Sequence, residues 1–124
     1  MSKIMLVEDD NNLREIYGAR LQAEGYDIVS AADGEEALAL AVKEKPDLII
    51  SDVAMPRMDG LEFARKLRQM PELEGVSLVA LTGYGQETDR RQTQLAGFDM
   101  HLVKPVSLDA LRDLLASLPA RTVG

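Results

Sequence analysis

Five times along this chain a short run of aliphatic residues is followed by an amphipathic run with helical spacing. The pattern predicts strands near residues 3–7, 26–31, 47–52, 76–81 and 99–103, and helices near 11–24, 34–44, 60–69, 86–96 and 107–118. Parallel neighbours need a crossover, and a helix between every pair of strands supplies one. Strict alternation with short loops therefore implies an α/β fold, a parallel sheet with helices on both faces. Ile4-Met5-Leu6-Val7 and Leu48-Ile49-Ile50 are apolar at every position, as strands covered on both faces are. A chain of 124 residues, 46% apolar and 28% charged, has the size and composition of one domain with its own core.

Local signals agree with this division. Leu13, Ile16, Tyr17 and Leu21 are read as one face of the first helix, which Gly25 ends. Asp33-Gly34-Glu35-Glu36 has the form of a capping box, and Pro46 follows the second helix where a stop is expected. Gly97 closes the fourth helix. Ser107 is an N-cap for the last, with Leu108, Leu111, Leu115 and Leu118 along one face. The fourth helix is highly polar, with Leu95 and Ala96 as its few apolar anchors, so it is expected among the least stable elements. Residues 1–118 are read as the domain and 119–124 as a tail or linker stub.

Composition narrows the function. The chain has no cysteine, which removes disulfide frameworks and thiolate metal sites. A net charge of −7 argues against direct binding to nucleic acid or anionic membranes. No apolar stretch has bilayer length and no signal peptide is visible, so a cytoplasmic location without membrane insertion is expected.

Chemistry gathers at the strand ends. The first strand runs into Glu8-Asp9-Asp10, the third delivers Asp52, the fourth ends at Thr82-Gly83, and the fifth leads to Lys104-Pro105. In parallel α/β sheets that edge is where ligands bind. Glu8, Asp9 and Asp52 offer hard oxygen ligands, and with a backbone carbonyl and water they suit Mg²⁺ or Mn²⁺. Lys104 can pair with Asp52 or with a phosphoryl oxygen. The Thr82 hydroxyl can hydrogen-bond such an oxygen, and Gly83 leaves the approach open. An aspartate can attack phosphorus to give an aspartyl phosphate. Each residue alone has a plainer role: Asp9 or Asp10 as a helix cap, Thr82 in a turn, Asp52 and Lys104 as surface charges. Their joint placement at the ends of strands one, three, four and five favours a site.

Four segments, in this order and spacing, resemble the receiver domain of bacterial two-component response regulators. They are Val7-Glu8-Asp9-Asp10, Asp52-Val53-Ala54-Met55-Pro56-Arg57-Met58-Asp59-Gly60, Leu81-Thr82-Gly83 and Lys104-Pro105. The resemblance implies a flavodoxin-like sheet of order 2-1-3-4-5 with five helices. A receiver is itself a standard example of that strand order, so the order comes from the resemblance and not from the spacing. The resemblance also implies Asp52 as phosphoacceptor, Asp9 as a direct Mg²⁺ ligand, Glu8 acting through a metal-bound water, and the Ala54 carbonyl as a third protein ligand. Thr82 and Lys104 would hold the phosphoryl oxygens, and Lys104-Pro105 would be a cis peptide.

The same resemblance marks Ala54 and Tyr84 as tuning positions beside Gly83. Ala54 cannot orient an attacking water and Tyr84 can shield the phosphoryl group, so slow self-dephosphorylation is expected. His101 stands where many receivers carry a switching aromatic. Two readings are open: a solvated imidazole on an edge strand, the plainer one, or a switch coupled to Thr82. The implied partner is a histidine kinase or histidine phosphotransfer protein, with binding or homodimer formation through the face of helix 4, strand 5 and helix 5. Segments 80–87 and 97–106 are similar to receivers fused to sensor histidine kinases, so the chain is read as a single-domain response regulator or a hybrid histidine kinase receiver.

Three alternatives compete. A degenerate receiver would bind partners without phosphorylation. An aspartate phosphatase would want a second acid at Ala54. A flavin or nucleotide binder would want a phosphate-cradling loop where Glu8-Asp9-Asp10 stands. The expected function is thus phosphorelay signalling by a phosphoprotein that is not an enzyme proper.

Overall fold

The computed structural model describes residues 3–53, 59–83 and 90–117. The elements are β1 (Lys3–Val7), α1 (Asn11–Ala23), β2 (Asp27–Ala31), α2 (Gly34–Glu44), β3 (Leu48–Asp52), α3 (Gly60–Arg68), β4 (Ser77–Thr82), α4 (Arg90–Ala96), β5 (Met100–Val103) and α5 (Leu108–Ser117). A 3₁₀ turn at Pro71–Leu73, which the apolar pattern does not announce, buries Leu73. The strands pair in parallel in the order β2-β1-β3-β4-β5. The chain leaves β1 in one direction and returns to β3 on its other side, so the strand order reverses between β1 and β3, the place where such sheets form a ligand crevice.

The pleat sorts the strand residues onto two faces. Met5, Val7, Ile49, Leu78 and Ala80 pack with Ala37 and Ala41 of α2 and with Phe63, Ala64 and Leu67 of α3. Ile4, Leu6, Leu48, Ile50, Val79 and Leu81 pack with Tyr17 and Leu21 of α1 and with Leu111 and Leu114 of α5. Both faces of the central strands are thereby dry, which explains their continuous apolar runs.

The helix ends follow the chemistry of their residues. Asp33 accepts from the Glu36 amide at 2.8 Å, and Ser107 Oγ from the Ala110 amide at 3.0 Å. Gly25 and Gly97 end α1 and α4 at φ +94° and +118°. Lys45 closes α2 in the left-handed region at φ 48°, where a Cβ is unfavourable. Lys45→Gly is expected to stabilise the fold by about 0.5–1 kcal/mol, read as a raised denaturant midpoint with an unchanged slope.

Three helical faces differ from the apolar pattern. Ile16 is 46% exposed, because α1 buries the i, i+4 line through Tyr17 and Leu21 and Ile16 lies about 100° off it. On α5, Leu114 is buried beside Leu111 and Leu115 is partly buried. Leu118 and residues 119–124 lie outside the described residues. Leu95 does not anchor α4: it is 80% exposed, and the helix instead buries Thr93 and Ala96. No helix among the described residues is long and apolar enough to cross a membrane.

Candidate functional site

Strand register brings the site together. β1 aligns Val7 with Ser51, β3 aligns Asp52 with Leu81, and β4 aligns Thr82 with Val103. The residues at or just beyond these ends, Glu8, Asp9, Asp52, Thr82 and Lys104, therefore share one edge of the sheet. Ligand atoms of Glu8, Asp9 and Asp52 lie within 4.8 Å of one another. Glu8 and Asp52 are buried and Asp9 is exposed.

Lys104 closes the cluster. Its Nζ donates to Asp52 Oδ2 at 2.8 Å and stands 2.6 Å from Glu8 Oε1. Burial alone would lower the lysine's pKa, but hydrogen bonds and charge from Asp52 and Glu8 outweigh it and hold the pKa above its ordinary value. Burial raises Glu8 to about 7, and its contact with Asp52 adds to this, while Lys104 and the Asp10 amide work the other way. Two buried carboxylates thus meet at the same ammonium group.

The loop after β1 is braced by its own acids. Asp10 caps α1, accepting from the amides of Asn12 at 2.9 Å and Leu13 at 3.1 Å. The Asp10 amide donates to Glu8 Oε2 at 3.2 Å, and Arg14 Nη1 donates to the Glu8 carbonyl at 2.8 Å. Capping therefore falls to Asp10, which leaves Asp9 at the exposed side of the acidic cluster.

Thr82 is 2% exposed and shares a 2.9 Å hydrogen bond between its Oγ1 and His101 Nε2. The plainer expectation of a solvated imidazole is corrected. Ala80 aligns with His101 on the neighbouring strand, so the ring is Thr82's diagonal neighbour and is half-buried against it. The Thr82 carbonyl accepts from the Lys104 amide at 2.7 Å, and Lys104-Pro105 is cis as expected. Gly83 follows as a half-buried residue at the rim. Ala54 and Tyr84, the expected carbonyl ligand and tuning positions, lie outside the described residues.

Gly60, noticed in the sequence only as part of a motif, has a direct spatial role. Its amide donates to the Val53 carbonyl at 2.8 Å. A Cβ there would lie 2.4 Å from the Asp52 carbonyl oxygen and 2.7 Å from Val53 Cα. The first turn of α3 thus rests directly on the backbone that presents Asp52, and Asp59 caps this turn by accepting from the Glu62 amide at 2.9 Å.

The donor set fits a hard divalent cation. All three side chains offer carboxylate oxygens, two are fixed by burial, and exposed Asp9 leaves one side open to water and an incoming oxyanion. A cation there would also relieve the repulsion between Glu8 and Asp52.

Comparison with known proteins agrees with this geometry. The family model of the response regulator receiver domain matches residues 4–116. An uncharacterized 14.6 kDa protein of Leptolyngbya boryana is 41% identical over 103 residues, covering 83% of this chain and 79% of its own. The alkaline phosphatase synthesis transcriptional regulatory protein PhoP of Bacillus subtilis is 38% identical over 105 residues, and this chain covers 43% of its length. The chemotaxis response regulator CheY4 of Vibrio cholerae superposes with a TM-score of 0.87 at 35% identity, covering 94% of this chain and 97% of its own. The receiver domain of sensor histidine kinase PA1611 from Pseudomonas aeruginosa, solved with magnesium in its active-site cleft, gives a TM-score of 0.84 at 31% identity, with 92% and 93% covered. An acid cluster at the β1–β3 crevice, the 2-1-3-4-5 sheet and a family match over nearly the whole chain have one common explanation: the protein belongs to the response regulator receiver domain family of two-component systems.

Proposed function

We propose that Asp52 accepts a phosphoryl group from the phosphohistidine of a histidine kinase or histidine phosphotransfer protein, and that the chain works as a switched binding module. The supporting observation is Lys104 Nζ held 2.8 Å from Asp52 Oδ2 inside an acidic crevice. Glu8, Asp9 and Asp52, with the carbonyl of Ala54, would hold Mg²⁺ or Mn²⁺, which supplies charge neutralisation at the phosphoryl oxygens. An Asp52 carboxylate oxygen forms the new bond to phosphorus. The phosphorus–nitrogen bond breaks, and the donor imidazole leaves with its electron pair. Lys104 moves its pairing from Asp52 to a phosphoryl oxygen, and the Thr82 hydroxyl donates to another.

Thr82 already shares its hydroxyl with His101, so the new phosphoryl group competes for that bond. The two residues form the proposed switch, and releasing or drawing in the imidazole would bias the face built from α4, β5 and α5 toward a partner or a second copy. The module would serve as a single-domain response regulator or as the receiver of a hybrid histidine kinase. It assists its own phosphotransfer and is not a turnover enzyme.

Intact-mass spectrometry after incubation with Mg²⁺ and acetyl phosphate tests this reading. One added phosphoryl group is expected on the wild type, none on Asp52→Asn, and none when the metal is chelated beforehand. An adduct that persists on Asp52→Asn would assign the acceptor elsewhere. Ala54 and Tyr84 lead to a slow decay of the adduct, and a half-life of seconds would overturn that part.

A further inference from the structure

Lys104 pairs with both Asp52 and Glu8, so its placement bears directly on the charge balance of the site. Its ammonium sits on a flexible four-carbon stem, and where it points depends on where its backbone is held. One anchor is plain: the Lys104 amide donates to the Thr82 carbonyl at 2.7 Å. A second lies two residues on, at Val106, which is 3% exposed between the end of β5 and the start of α5. No strand ladder runs through Val106, so its buried backbone groups need partners from elsewhere.

Both partners come from α1. The Val106 amide donates to Tyr17 Oη at 3.3 Å, and Arg20 Nη1 donates to the Val106 carbonyl at 2.8 Å. The guanidinium carbon of Arg20 stands 5.9 Å from the Tyr17 ring centroid, so the two side chains also support each other. We propose that Tyr17 and Arg20 are positioning residues for Lys104: by holding both backbone polar groups of Val106, they fix the loop from which the lysine reaches Asp52.

Mere core packing explains less. Tyr17 is 4% exposed among Leu6, Leu21, Ile50 and Leu111, where a phenylalanine would fill the same space. The hydroxyl and the guanidinium are what single out Val106. The same helix begins at Asp10, next to Asp9 of the acidic cluster. Seven residues of helix, about 10 Å, separate that cap from Tyr17. One rigid helix thus sets the acids at its start and the lysine loop along its side, and their separation does not depend on the sheet alone.

The inference rests on Asp52 being the phosphoacceptor, and its test contains a readout that does not. The full chain is prepared as wild type, Tyr17→Phe, Arg20→Met, the double variant and Arg20→Lys. Three quantities are measured: the rate of adduct formation with Mg²⁺ and acetyl phosphate, the Mg²⁺ affinity, and the reductive methylation of Lys104 relative to Lys3 by peptide mapping. Lys3 is an internal control because its ammonium is ion-paired to Glu44, away from the site.

Arg20→Met and the double variant are expected to slow phosphorylation about tenfold to a hundredfold, the scale of an ångström-sized misplacement. Lys104 is expected to become several-fold more reactive relative to Lys3, with Mg²⁺ affinity not weakened, and Arg20→Lys should restore most of the rate. Wild-type rates and Lys104 reactivity in the double variant would overturn the proposal. So would a rise in reactivity shared equally by Lys3, which would mark general loosening. If the wild type takes no phosphoryl group, the acceptor reading falls, and the Lys104-to-Lys3 ratio alone then decides the role of Tyr17 and Arg20.

Discussion

Gly60→Ala is expected to lower stability by about 3 kcal/mol and to cost most of the phosphorylation rate, the upper range for overpacking a rigid contact. The added Cβ would sit 2.4 Å from the Asp52 carbonyl oxygen and 2.7 Å from Val53 Cα, both backbone atoms that no rotamer change can move aside. Either α3 withdraws, losing the 2.8 Å bond from the Gly60 amide to Val53 and the seat of Phe63, or β3 shifts and carries Asp52 with it. A denaturant titration measures the first outcome and the acetyl phosphate assay the second. A midpoint and a phosphorylation rate both equal to wild type would show that the contact is readily relieved.

Lys104→Met removes the cation from two buried carboxylates and is expected to destabilise the apo protein by about 3–5 kcal/mol at pH 8, the scale for breaking a buried ion pair. The effect should shrink on acidification. Glu8 already stands near 7 against an ordinary 4.5, chiefly through burial, and Lys104 is the main influence pulling it back down. Between those values the folded protein binds more protons than the unfolded chain. The associated stability is therefore fully present below about pH 4.5 and is lost as pH rises through about 7. Without the lysine the loss extends to higher pH, so the gap between wild type and variant should be widest at pH 8 and narrow by pH 5. Mg²⁺ should close part of the gap at pH 8, because it neutralises the same pair. Denaturant midpoints across this range, with and without Mg²⁺, read the effect. A gap that is independent of pH would mean that Glu8 does not absorb the lost charge. The variant should also phosphorylate about a hundredfold more slowly, since a charge poised for the transition state is gone.

Much of this architecture is legible in the order of the residues. Alternation of short continuous apolar runs with period-3.6 runs locates ten elements to within a residue or two where they are described, because strands buried on both faces and amphipathic helices distribute apolar residues differently. Asp33 and Ser107 mark helix starts because a side-chain oxygen beside a free amide is a local interaction. Glu8, Asp9, Asp52, Thr82 and Lys104 can be grouped because parallel strands necessarily bring their C-terminal ends to one edge.

Other features depend on distances that no periodicity encodes. Leu95 and Ile16 look like core residues in a helical pattern, yet stand at 80% and 46% exposed, since the pattern does not specify which line of the helix meets the sheet. His101 looks like a surface residue on an edge strand, and its bond to Thr82 depends on the β4–β5 register. Tyr17 and Arg20 read as ordinary α1 residues because their partner, Val106, is more than eighty positions away.

The order and type of the elements, and the set of charged and hydroxyl groups at the strand ends, are written in the residues alone, because they follow from short-range propensity and from the topology of parallel strands. The tertiary structure alone decided that Glu8 and Asp52 are buried on one lysine, that α3 leaves no room for a Cβ at Gly60, and that α1 grips Val106. Those outcomes depend on register and helix packing, where a shift of an ångström separates a hydrogen bond from a clash.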